Sequence, residues 1–341
     1  MKIRRLFAVG IFLLLTGNVA SHAESSYRVG LRTLAATVPE RGKAIEFTLW
    51  YPAKQDGRSE LFGDSKIFKG VPVRRTASFA DGIFPVVVLA HGGLRANPGL
   101  AGWLAAYLAA RGNFVVSVHA PQLTETDAAT AIAEVWLRPS DVSTALSTIE
   151  ADPVVAAHLN LDKVAAVGFF LGGTSALAVV GARLDADRYK RSCGQSSTDP
   201  DCKWFAKNGI DLHKVDDKAI SKSHLDPRIK VAVAVNPELS TSFATESLDE
   251  IKVPVQLIGL GRTNPDLAVL HERIPQARYA AISDATPFSA FGQCTPKAST
   301  ILAEEGEDDA ICRDGENRSR EEIQAEIGGI IEAALTAGFR E

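Results

Sequence analysis

No segment after the first fifteen residues is both long and apolar enough to cross a bilayer, which takes about 20 consecutive apolar residues. A basic stripe is missing as well. The 37 Lys and Arg are outnumbered by 41 Asp and Glu, which makes the chain a poor nucleic-acid binder. None of the four cysteines forms a Cys-x-x-Cys pair or has a neighbouring His pair to complete a zinc site. Repeats at solenoid or propeller spacing are absent, and so are low-complexity tracts. These absences leave an ordinary globular composition over 341 residues, 46% apolar and 23% charged.

The amino-terminal end is different. Lys2, Arg4 and Arg5 precede the apolar run 6–15, and Ser21-His22-Ala23 offers small residues at the two positions a signal peptidase reads. That order is the layout of a secretory leader spanning 1–23. Its removal takes away three positive charges and no acid, so the net charge moves from −4 to −7. The expected product, 24–341, is periplasmic or secreted, with no stable membrane span. All four cysteines, Cys193, Cys202, Cys294 and Cys312, lie in that part, and an even number in an exported chain predicts two disulfides. Three pairings are possible. Cys193–Cys202 and Cys294–Cys312 are expected, because each closes a local loop.

Short apolar runs at 44–51, 84–90, 114–119, 163–168, 230–236, 253–260 and 278–283 alternate with amphipathic stretches. Several are apolar on both faces, as strands inside a covered parallel sheet are. Asn97-Pro98 reads as an N-cap and first turn ahead of the stripe Leu100, Trp103, Leu104, Tyr107 and Leu108, stopped by Gly112. Ser140 reads as the cap of a second helix carrying Val142, Ala145, Leu146 and Ile149. Ser319 and Glu322 have capping-box spacing before a last helix. The expectation is one α/β domain with a doubly wound, mostly parallel sheet. The polar stretch 182–226 interrupts the alternation and reads as a small cap-like insertion over the carboxyl edge of the sheet.

One segment has the form of a site. Val164-Ala165-Ala166-Val167-Gly168-Phe169-Phe170-Leu171-Gly172-Gly173 takes a strand through a sharp turn into a helix. This is the layout of a nucleophile elbow, Gly-x-Ser-x-Gly, with Phe170 where the serine should stand. A phenyl ring has neither a lone pair nor an acidic proton with which to attack an acyl carbon. Upstream, His91-Gly92-Gly93 follows a strand, as does the loop that offers an N–H to an oxyanion; Leu171 would supply the second such donor.

These pieces come in a fixed order with Leu49-Trp50-Tyr51-Pro52-Ala53, Arg138-Pro139-Ser140-Asp141-Val142, Asp226-Pro227-Arg228-Ile229-Lys230, Cys294-Thr295-Pro296 and Ile311-Cys312-Arg313-Asp314. Together they resemble the exported dienelactone-hydrolase and platelet-activating-factor-acetylhydrolase-like branch of the α/β-hydrolases. The resemblance implies a catalytic histidine after the last strand, in a Gly-His-Phe-Ser-Phe-like segment. This chain has Ala285-Thr286-Pro287-Phe288-Ser289, so Pro287 takes its place. The triad acid is implied after the strand ending near Leu260, where the loop is shortened and Asp266 is the substitute at hand. An acid with no histidine to orient has no task.

Local readings compete at each remaining polar residue. His91 is expected to be structural, and His119 to be engaged in local hydrogen bonding. Ser175, five residues past the elbow, is expected to bond back to a carbonyl inside its helix. Glu238 reads as an exposed loop carboxylate, and Glu304, Glu305, Glu307, Asp308 and Asp309 as a solvated loop without calcium-loop spacing. With a bulky residue at the elbow, the normally strained turn is expected to relax. No metal or cofactor is expected. The reading is a non-catalytic relative that binds an unidentified small ligand or protein partner. The alternative is an active carboxylic-ester or lactone hydrolase with rebuilt catalytic groups.

Overall fold

The computed structural model describes residues 26–90, 92–94, 97–119, 128–194, 200–262, 264–315 and 318–340. The expected leader 1–23 and His91 lie outside them.

Six strands form the parallel heart of the sheet: β5 (Phe84–Ala90), β6 (Phe114–His119), β7 (Leu159–Phe169), β8 (Val231–Val235), β9 (Val255–Leu260) and β10 (Ala277–Ile282). β8 and β9 are buried along their whole length, which is why their sequences show no alternation. A mostly antiparallel flank, in which only β1 and β4 pair parallel, adds β1 (Arg28–Val38), β2 (Lys43–Ala53), β3 (Arg58–Phe62) and β4 (Val71–Arg75). The strand order is β10-β9-β8-β7-β5-β6-β2-β1-β4-β3. All seven expected strands are present. β1, β3 and β4 are additions on the outer flank, where charged side chains sit among the apolar ones and blur the sequence pattern.

Helices of seven or more residues are α1 (Gly102–Ala110), α2 (Glu134–Ala151), α3 (Leu171–Ala178), α4 (Ala186–Ser192), α5 (Pro200–Lys207), α6 (Pro265–Arg273), α7 (Ala298–Glu304) and α8 (Arg320–Gly338). α1 and α8 cover one face of the sheet through Leu104, Leu108, Ile323 and Ile327. α2, α3 and α6 cover the other through Leu146, Leu177 and Leu267. Ser319 and Glu322 make the expected reciprocal capping box at the start of α8. Ser140 is not a cap. α2 begins at Glu134, six residues earlier, and runs through Pro139. Only the carbonyl one turn before Pro139 loses its donor, and the buried face from Val135 to Ile149 holds the helix on the sheet.

Both expected disulfides form, Cys193–Cys202 and Cys294–Cys312, closing separations of 9 and 18 residues. Opening either by paired Cys→Ala substitution is expected to lower stability by about 2–3 kcal/mol. The urea midpoint checks this, and four free thiols in non-reducing peptide mapping would contradict the pairing.

Candidate functional site

β5 lies between β6 on one side and β7 on the other, so chain connections diverge at the carboxyl ends of β5 and β7. Ligands in open α/β sheets bind at such switch points. The elbow is there. Gly168 is the last residue but one of β7, and a Cβ on it would fall 2.0 Å from the Gly172 carbonyl oxygen, so only glycine lets α3 start this close to the strand.

Phe170 follows at φ +56°, ψ −124°, a conformation costly for any residue with a Cβ. The turn has therefore not relaxed, contrary to the expectation above. Its backbone is fixed at both ends. The Phe170 N–H donates to Val235 O at 3.0 Å, and its carbonyl accepts from Thr174 N–H at 3.1 Å and Glu238 N–H at 3.3 Å. Asn236 (φ +46°) and Leu239 (φ +55°) are left-handed too. Three of the four non-glycine residues with positive φ among the described residues thus sit at this end of β7 and β8.

The Phe170 ring is buried among other rings. It is 8% exposed and packs edge-on against Phe291 at 5.9 Å, which in turn meets Phe288 at 5.7 Å. Pro287 opens the short helical turn Pro287–Ala290 after β10. Trp103 Nε1 donates to Ala290 O at 2.8 Å and ties this turn to α1. The elbow and the Pro287 turn therefore meet through rings, where a hydrolase of this layout needs a serine and a histidine in hydrogen-bond contact.

Beside this plug lies a cavity of about 470 Å³. It is lined by Leu94 and Leu171, by Asn236 to Thr241, and by Tyr189, Asp201 and Phe205 from the segment between α3 and β8. Glu238 is not the exposed carboxylate expected. It is half-buried in the cavity wall because its N–H bonds Phe170 O and its carbonyl accepts from Thr174 Oγ1. A Cβ placed on Gly93 would lie 3.1 Å from Glu238 Oε1 and 3.7 Å from Asp201 Oδ2. Two carboxylates thus converge on Gly93, the glycine expected from the sequence to face an oxyanion. An acyl-transfer transition state develops negative charge there and needs donors instead. Sequence reasoning missed Asp201 altogether. It carries no motif, and only the disulfide-held segment brings it here.

The other candidates take ordinary roles. Ser175 Oγ donates to Leu171 O at 2.9 Å and is buried. His119 Nε2 meets Thr48 Oγ1 at 2.9 Å, and burial holds its pKa below the ordinary imidazole value. Asp266 is exposed at the start of α6, on the cavity rim. Asp308 and Asp309 pair with Arg313, and Glu304, Glu305 and Glu307 are exposed. Among the described residues no group of His, Cys, Asp and Glu is placed to hold a metal ion, and no helix is long and apolar enough to cross a membrane.

No family model and no curated protein matches the sequence. Among solved structures, the chain is similar to a ferulic acid esterase from Streptomyces cinnamoneus. The identity is 14% over 94% of this chain and 93% of that one, with a TM-score of 0.59. A dienelactone hydrolase from Anabaena variabilis is also similar, at 16% identity over 82% of this chain and 96% of that one, with a TM-score of 0.46. Strand order, elbow and the first of these likenesses together establish that this chain has the α/β-hydrolase fold.

Proposed function

We propose that this protein is an exported, non-catalytic relative of dienelactone-hydrolase-like esterases that binds a small ligand or a protein partner at the cavity beside the elbow. The observation that carries the reading is Phe170: a strained elbow is kept, but its side chain is a ring packed on Phe291. Two disulfides fit an oxidising compartment outside the cytosol. The charged side chains described along the cavity, Asp201, Glu238 and Asp266, are acidic, which favours a neutral or cationic ligand over a carboxylate.

The competing reading is an ester or lactone hydrolase with rebuilt groups, for which Glu238 and Asp201 near Gly93 are the available acids. Hydrolysis of a short activated ester separates the two. The wild type, Phe170→Ser and Pro287→His are each expected to give no turnover above background, because serine and histidine act as a unit. The double variant is expected to gain weak turnover if Gly93 and Leu171 still supply donors, each worth roughly 10²–10³ in rate. Wild-type turnover that survives a fluorophosphonate would establish the competing reading. Labelling of Ser175 would mean that the nucleophile had moved.

A further inference from the structure

Four charged side chains are buried together where the β1–β2 hairpin meets α2. Arg41, in the turn between those strands, donates from Nε and Nη2 to the two Asp141 oxygens, each at 2.6 Å. It donates from Nη1 and Nη2 to the Glu134 oxygens at 2.7 and 2.9 Å. The three side chains retain 2%, 0% and 5% of their surface. Glu134 and Asp141 are seven residues apart, two helical turns, so one face of α2 presents both. Arg138 lies between them, its Nε 3.4 Å from Glu134 Oε2.

A buried cluster of this kind is a poor source of stability, since apolar replacements of similar volume often do as well or better. Its placement suggests another role. Arg138 Nη1 donates to the carbonyl oxygen of Gly92 at 2.9 Å. The N–H of Gly92 donates to Phe169 O, next to the elbow, at 3.2 Å. Gly92 is thus held from both sides, at φ +85°. A trans peptide points its C=O and N–H in opposite directions. With the Gly92 carbonyl on Arg138, the Gly93 N–H is turned away from α2.

We propose that the Arg41–Glu134–Asp141–Arg138 cluster is a positioning device for the cavity, in which Arg138 sets the orientation of the Gly92–Gly93 peptide and Arg41 with the two carboxylates sets Arg138. The role does not depend on whether the cavity only binds or also reacts. It joins the hairpin, through α2, to the loop beside the elbow.

Glycine amide resonances and hydrogen exchange in the mature protein test this. In Arg138→Met the Gly93 resonance is expected to move and the Gly92 N–H to exchange about tenfold faster or more, while Val233 in β8 changes by less than about twofold. Arg138→Lys keeps the charge and one donor and is expected to recover part of the protection, which packing alone would not explain. Arg228→Met is the control. It removes the Asp226 and Glu150 pairs and a bond to Ser143 O on α2 and is expected to leave Gly93 unmoved. Unchanged Gly92 and Gly93 signals in Arg138→Met would overturn the proposal, and so would equal acceleration at Val233. If Arg138→Met does not fold, the exchange rate of Arg138→Lys decides: Gly92 N–H exchange faster than in the wild type, with Val233 unchanged, supports the role, and acceleration shared equally by Val233 or absent at Gly92 ends it.

Discussion

Replacing Arg41 with methionine is expected to lower the unfolding free energy at neutral pH by about 3–5 kcal/mol, because the change leaves two carboxylates buried with one cation. Methionine keeps an apolar stem in place, so the loss reports charge more than packing. The deficit should shrink on acidification, since Glu134 and Asp141 can then bury as neutral acids.

In the wild type the two acids act with opposite sign. Burial pushes the Asp141 carboxyl up to about 6, outweighing the Arg41 hydrogen bonds that oppose it. Its contribution to stability is therefore fully present below its unfolded value and is lost as pH rises through about 6. Burial also pushes Glu134 upward, but hydrogen bonds from Arg41 and the charges of Arg138 and Arg41 outweigh it and hold the carboxyl below its ordinary value. That contribution is present at neutral pH and is lost as pH falls into the acid range. Asp141→Asn removes the first effect and leaves Arg41 with Glu134 as its carboxylate partner. Between roughly pH 4 and 6 its stability should miss a rise of order 3 kcal/mol on acidification, the ceiling for a shift of about two pKa units. Urea unfolding over that range reads both variants. An Arg41→Met midpoint equal to the wild type at neutral pH would mean that Arg41 does not hold this cluster.

At the elbow, Phe170→Gly is expected to be more stable than Phe170→Ala by about 1 kcal/mol, the reverse of the usual order. Both variants lose a buried ring, at a cost of about 3–5 kcal/mol. Only glycine also releases the strain of a Cβ at φ +56°. The conformation persists because Val235, Thr174 and Glu238 fix the Phe170 peptide groups from three sides, so the surrounding strands determine it whatever the side chain. Urea midpoints of the two variants are the check. Alanine equal to or above glycine would mean that residue 170 does not hold this backbone.

Much of this was legible in the chain itself. Runs such as 231–235 and 255–260 are apolar at every position because both sides of those strands are covered. The Ser319–Glu322 box and the loop-closing cysteine pairs are local, with partners 3, 9 and 18 residues apart. The sharp strand-to-helix turn at Phe170 could be read because the glycines around it keep their spacing. Other features have no local signature. Arg41 meets Asp141 across 100 residues, and an arginine in a polar hairpin turn looks like any solvated arginine until the fold buries it. Glu238 looked exposed for the same reason. Its backbone bonds to the elbow, and those bonds, with no pattern of neighbouring residues behind them, set its carboxylate beside Gly93. Periodicity and capping report how one element satisfies its own backbone and hides its own face. Which remote charges and rings come into contact is decided only when the layers close, because that contact depends on the packing of segments that do not adjoin in sequence.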